Sequence, residues 1–137
     1  MNIDICLLQE VEIAKDYQQS LLTSKNFKIE VESNDIKSRS AIIIRDNVNY
    51  TRRSDIEGKN LGIVIIDLNG NEKFRIINVY RSFNPPNMSQ LEFFVAQLAV
   101  LKIASSFCKD RKLIIAGDFN LDENKRYSLE NRTKSFF

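Results

Sequence analysis

Three short stretches of this sequence hold side chains suited to phosphodiester hydrolysis: Gln9-Glu10, Asn78-Val79-Tyr80-Arg81 and Gly117-Asp118-Phe119-Asn120. That reaction calls for a hard cation to neutralise phosphate oxygens, a carboxylate to orient or deprotonate water, and donors that hold the phosphate in line. Glu10 can offer carboxylate oxygens to Mg²⁺, with Mn²⁺ as a substitute, since magnesium takes one or two protein carboxylates and completes its octahedron with water and substrate. Tyr80 and Arg81 can donate a phenolic hydrogen and a bidentate guanidinium fork to phosphate. Asp118 follows a glycine, where the backbone can approach a ligand closely, and Asn120 points to the same side if the chain stays extended. One of the two can position water while the other donates to phosphate. Each stretch also has an ordinary reading. Glu10 is then a solvated carboxylate after a strand, Gly-Asp-Phe-Asn a turn, Tyr80 a half-buried strand residue and Arg81 a surface charge.

The elements that must position these groups follow from apolar periodicity. Residues 3–8 form a short apolar run, as expected of a strand buried on both faces that ends at Gln9-Glu10. Ala14, Tyr17, Leu21 and Leu22 recur near helical spacing, which predicts an amphipathic helix over residues 12–24, returning to a strand at 27–31. After a charged loop, residues 41–44 and 61–68 read as strands, and Asn69-Gly70 joins the second to a strand at 74–80 through a hairpin turn. Beyond Asn84-Pro85-Pro86, Ser89 and Glu92 have capping-box spacing, with Met88 and Phe93 placed as a hydrophobic staple, so a helix begins at Gln90. Its stripe of Leu91, Phe94, Val95, Leu98 and Leu101, broadened by Phe93, Val100, Ile103 and Phe107, predicts a core helix. Residues 113–116 then form another buried strand ending in Gly117-Asp118-Phe119-Asn120. Strand, helix, several strands, helix, strand is a layered α/β order, in which chemistry gathers where strands end.

Composition narrows the field. At 137 residues, 43% hydrophobic and 28% charged, the chain suits one soluble globular domain. A net charge of +2 neither demands nor excludes a polyanionic partner, and basic residues at Arg52-Arg53, Lys109 to Lys112 and Lys125-Arg126 are interleaved with carboxylates. With no histidine anywhere, a Ser-His-Asp triad, a Cys-His pair and histidine-bound zinc are excluded. Cys6 and Cys108 read as small buried hydrophobes in a reducing compartment. No aliphatic run is long enough for a membrane span and no signal peptide opens the sequence, so a cytoplasmic or nuclear protein is expected.

In this order the three stretches resemble the endonuclease/exonuclease/phosphatase superfamily, through Leu8-Gln9-Glu10, Val79-Tyr80-Arg81 and Gly117-Asp118-Phe119-Asn120. The longer matches, Asn78-Val79-Tyr80-Arg81-Ser82-Phe83-Asn84-Pro85 and Gly117-Asp118-Phe119-Asn120-Leu121-Asp122, are similar to endonuclease domains of animal non-LTR (LINE-type) retrotransposons. The resemblance covers essentially the whole chain. It implies an α/β sandwich in which Glu10 binds the metal, Tyr80 contacts the scissile phosphate, Asp118 activates water and Asn120 orients the phosphate. It also implies a parent polyprotein carrying a reverse transcriptase, whose endonuclease nicks target DNA with Mg²⁺.

Superfamily members open with a further strand bearing an asparagine and close with a Ser-Asp-His segment, neither of which occurs in residues 1–137. The expectation is therefore a partial domain, truncated at both ends, with impaired or absent activity and with open apolar edges that leave Phe93, Phe107 and Phe136 partly exposed. Two other readings stay open: a superfamily phosphoesterase acting on lipid or RNA phosphodiesters, and a noncatalytic nucleic-acid-binding remnant.

Overall fold

The computed structural model describes residues 3–14, 26–106 and 108–121. Among the described residues seven strands form two sheets. In the first, β1 (Ile5–Ala14), β2 (Phe27–Val31) and β3 (Lys37–Arg45) pair antiparallel in the order β1-β3-β2. In the second, β4 (Tyr50–Arg52), β5 (Ile63–Asn69), β6 (Lys73–Tyr80) and β7 (Lys112–Asp118) lie in sequence order. A single turn, α1 (Ser54–Glu57), precedes β5, and α2 (Gln90–Ser106) carries the chain from β6 to β7, which pair parallel.

The two faces of the second sheet explain the nearly unbroken aliphatic run of β5. Ile63 and Ile65 pack with Ile77, Val79, Phe93, Val100 and Ala104 against α2, whereas Val64 and Ile66 pack with Ile76, Ile42 and Ile44 of the opposing sheet. Successive side chains enter two different cores, so a strand covered on both sides must be apolar throughout. The result is three layers: α2, the four-stranded sheet and the three-stranded sheet.

The predicted strands 27–31, 41–44, 61–68 and 74–80 fall on β2, β3, β5 and β6. The hairpin turn differs, because Asn69 pairs with Lys73 and the loop is residues 70–72, with neither Asn69 nor Gly70 at positive φ. The helix expected from residue 12 is overturned at its start, where β1 runs on to Ala14; residues 15–25 lie outside the described residues. Residues 3–8 and 113–116 were expected to be buried on both faces. Instead β1 and β7 are edge strands, and Leu113, Ile114 and Ile115 are each about 40% exposed.

Helix α2 begins where the capping box puts it: the Ser89 N–H donates to Glu92 Oε2 at 2.7 Å and the Glu92 N–H to Ser89 Oγ at 3.2 Å. Its buried face is Phe93, Gln97, Val100 and Ala104, while Val95, Leu98 and Ile103 are exposed, correcting the expected stripe. The true stripe contains a glutamine and an alanine, so a search for strongly apolar residues passes over it. Phe93, expected to be partly exposed, is 3% exposed; Phe107 and Phe136 lie outside the described residues. Ser89→Ala removes the cap acceptor and is expected to cost about 1 kcal/mol, read as a shift of the urea midpoint at unchanged slope. An unmoved midpoint would mean that packing on Phe93 alone sets the helix start.

Candidate active site

The alternation that builds the cores also aims the polar residues at the strand ends. Along β6, Ile76 faces the first sheet, so Asn78 and Tyr80 follow on the same side, while Arg81 falls to the opposite side. Asn78 is completely buried and bolts the sheets together. Its Nδ2 donates to Leu8 O, Ser40 Oγ and Ala41 O, each at 2.9 Å, and its Oδ1 accepts from Gln9 Nε2 at 2.6 Å. A buried amide with every group partnered fixes one register of β1 over β6.

Just past this bolt, β1 is distorted. Gln9 faces Ser40 and Ile13 faces Ser38, so three residues of β1 stand against Arg39 alone, and Glu10 and Glu12 take φ of 56° and 52°. Such a bulge re-aims side chains. Ile5 and Leu7 pack between the sheets and Gln9 reaches Asn78, so regular alternation would turn Glu10 outward. The left-handed backbone brings it back, and Tyr80 Oη donates to Glu10 Oε1 at 3.1 Å. Non-glycine residues at positive φ cost free energy and concentrate at functional sites.

Tyr80 is held at every polar atom. Its N–H donates to Gly62 O at 2.8 Å, its carbonyl accepts from Gln97 Nε2 at 3.0 Å, and its hydroxyl meets Glu10. Burial, followed by the hydrogen bond to Glu10, pushes the phenol pKa above its ordinary value, against an opposing pull from Arg39. Tyr80 is therefore a protonated donor at neutral pH.

The third strand end arrives in register, since Tyr80 stands beside Asp118 in the parallel β6-β7 ladder. Gly117 makes this approach possible: its φ is 143°, and a Cβ there would lie 1.9 Å from Val79 O. Beyond it the chain turns, so the condition of an extended chain under which Asn120 would point to the same side as Asp118 is not met. The Asn120 N–H donates to Asp118 Oδ1 at 2.9 Å, Asn120 has φ of 47°, and its Nδ2 donates to Arg81 O at 2.6 Å. The turn reading of Gly-Asp-Phe-Asn is thus realised, and Asp118 lines an open hollow together with Phe83, Phe119, Asn120 and Leu121.

Structure brings Glu10, Tyr80 and Asp118 to one end of the sheets, and leaves Arg81 apart. The Arg81 guanidinium sits 4.8 Å over the Phe94 ring of α2, and the residue is only 7% exposed, with burial alone lowering its pKa. It is neither the surface charge of the ordinary reading nor placed with Tyr80. The arginines of the basic clusters among the described residues are also committed. Arg52 forks onto Glu57 and Glu30, Arg53 onto Asp55 and Asp67, and Arg111 onto the Leu68 carbonyl and Asn69; Lys125-Arg126 lies outside the described residues.

Sequence reasoning assigned no role to Gln9, Asn78 or Arg39. The first two sat inside the noted motifs, and their signal was a polar residue in phase with buried neighbours. Among the described residues no three acidic, cysteine or histidine side chains converge. Glu10 offers one carboxylate, of which Oε1 is engaged by Tyr80. This donor set fits Mg²⁺ only in the mode where water and substrate supply most of the octahedron.

Two packed sheets with a helix on the outer face define a layered α/β sandwich. The crystal structure of ANGEL2, a 2′,3′-cyclic phosphatase, is similar at TM-score 0.52 and 21% identity, over 94% of this chain and 43% of the ANGEL2 chain. This chain thus spans less than half of that solved chain, and the likeness establishes the fold. No protein-family model matches the chain, and no curated protein matches it by sequence. No helix among the described residues is long and apolar enough to cross a membrane.

Proposed function

We propose that the chain carries part of a metal-dependent phosphodiesterase site, of the kind that nicks DNA for a retrotransposon. The observation that supports it best is the convergence of Glu10, Tyr80 and Asp118 from segments up to 108 residues apart, secured by the Tyr80-to-Glu10 hydrogen bond and the Tyr80-to-Asp118 register. Glu10 would hold Mg²⁺ or Mn²⁺, which when bound supplies charge neutralisation at phosphate oxygens. Tyr80, kept protonated, would turn its single hydroxyl proton from Glu10 to the scissile phosphate when substrate is bound. Asp118 orients the attacking water through Oδ2 while its other oxygen secures the turn. Asn120 takes a different part from the one its motif implies, since its amide holds the Arg81 carbonyl and so fixes the backbone just past Tyr80. DNA is the substrate, and a cytoplasmic or nuclear protein linked to a reverse transcriptase is the setting.

A second reading, favoured by the likeness to a 2′,3′-cyclic phosphatase, is hydrolysis of RNA phosphate esters. Supercoiled plasmid and an RNA ending in a 2′,3′-cyclic phosphate, each offered with Mg²⁺, separate the two. The DNA reading expects nicked circles to form faster than the cyclic end opens, and the reverse order would transfer the site to RNA. Salt-sensitive binding of both without cleavage would favour a noncatalytic binding role.

A further inference from the structure

Beside Tyr80 lies a cavity of about 220 Å³ whose lining includes Lys37, Arg39, Tyr80, Ser82, Asn84 and the Pro85-Pro86 pair. Of the seven arginines among the described residues, Arg45, Arg52, Arg53, Arg75 and Arg111 each pair with a carboxylate. Arg81 stacks on Phe94, which leaves Arg39. Arg39 stands opposite the Glu10 bulge and is partly buried; its NH1 donates to Ser82 Oγ at 3.1 Å, its guanidinium also reaches the Tyr80 hydroxyl, and it forms no salt bridge with a carboxylate among the described residues. Its charge also acts on the Tyr80 hydroxyl.

The other groups of the cavity do not neutralise it. The Glu32 carboxylate is occupied by the backbone N–H groups of Arg39 and Gly62, and Lys37 is taken by Glu12. The Asn84 side chain has no hydrogen-bond partner among the described residues and faces solvent at the rim. Glu12 feels the Arg39 charge but spends its hydrogen bond on Lys37; a partly desolvated guanidinium without a salt-bridged carboxylate is costly, and its planar fork matches phosphate oxygens bidentately.

We propose that this cavity is a second phosphate subsite, in which the Arg39 guanidinium and the Asn84 amide hold the backbone phosphate adjacent to the one at Glu10 and Tyr80. The inference rests on the nucleic-acid reading given above. The subsite supplies the cationic fork that the Arg81 position does not, and it orients the strand across Tyr80 without taking part in the chemistry. Arg39 is thus a positioning residue whose contact is made in the ground state.

The test is binding in metal-free buffer containing EDTA, where cleavage does not intervene. A fluorescein-labelled DNA duplex is titrated at several salt concentrations into the wild-type chain, Arg39→Gln and Arg39→Lys, with melting temperatures as the control for folding. Loss of one phosphate contact in Arg39→Gln lowers the slope of log affinity against log salt by about 0.9, while Arg39→Lys, which keeps the charge, retains the slope and loses affinity. Alongside, inorganic phosphate is titrated while the Arg39 Nε–Hε resonance of the wild-type chain is followed, and a saturable shift is expected. Duplex binding with the same slope in Arg39→Gln would overturn the subsite and leave the proposed function standing. A shifted Arg39 resonance without duplex binding would overturn the backbone phosphate as its ligand. An unmoved resonance together with no duplex binding would overturn both.

Discussion

Asp118→Asn is expected to slow plasmid nicking by about 10²–10⁴-fold, the range that a positioned general base contributes, while leaving the melting temperature and DNA affinity unchanged. The substitution is nearly isosteric. The oxygen that accepts the Asn120 N–H survives in the amide, so the turn after β7 and its register beside Tyr80 persist. What disappears is the negative charge and the basicity of the carboxylate. The expectation is therefore a loss of catalytic rate at constant substrate affinity, which single-turnover kinetics reads directly. An unchanged rate would remove Asp118 from the mechanism and return Gly117-Asp118-Phe119-Asn120 to the role of a turn.

Asp67→Asn is expected to destabilise the fold by about 3–5 kcal/mol, the cost of stranding a buried charge by removing its partner. The Arg75 side chain is 2% exposed, donates from Nε and NH2 to the two Asp67 oxygens at 2.7 and 2.8 Å, and gives NH1 to Ala104 O at 2.8 Å. Arg53 reaches the same carboxylate at 3.0 Å. Because whole domains are stable by only about 5–15 kcal/mol, such a loss brings the chain close to unfolding at room temperature. Burial pushes the Asp67 carboxyl pKa up, but the Arg75 and Arg53 hydrogen bonds outweigh it and leave the pKa below its ordinary value of 3.8. A depressed folded pKa gives stability that is present above pH 3.8 and lost as pH falls through the lower, folded value. Urea midpoints measured from neutral to acid pH should show that loss in the wild-type chain and a shallower one in Asp67→Asn. Equal midpoints for the two proteins at neutral pH would mean that the ion pair does not hold the helix to the sheet.

The layered α/β class was legible from the order of elements, since the strands at 61–68 and 74–80, the helix from Gln90 and the strand at 113–116 fall where apolar periodicity puts them. The start of α2 was legible because its capping box is local chemistry. Misreadings came where tertiary context decides. Residues 113–116 have the composition of a buried strand yet lie at a sheet edge, since composition records what a strand can be covered by and not whether a neighbour is present. The buried face of α2 was hidden by Gln97, which is there to bond the Leu61 and Tyr80 carbonyls. At the site, polar residues at the ends of the predicted strands marked Glu10, Tyr80 and Asp118, although β1 runs on past Glu10 to Ala14 and Glu10 sits in a bulge within it, and alternation along β6 could have warned that Arg81 falls on the other side. The bulge that turns Glu10 inward left no such mark, because left-handed glutamates have no sequence signature. Arg39 was equally silent, since only the pairing of every other exposed or buried arginine but Arg81 distinguishes it.

The measurement that tests the central claim most directly is the plasmid-nicking rate of the wild-type chain as a function of Mg²⁺ concentration, with Glu10→Gln alongside. If Glu10 and Tyr80 frame a metal-assisted phosphodiesterase site, nicking saturates with Mg²⁺, stops with EDTA, and in Glu10→Gln requires far more metal for the same rate. Cleavage that persists in EDTA, or a metal dependence identical in the two proteins, would contradict that assignment.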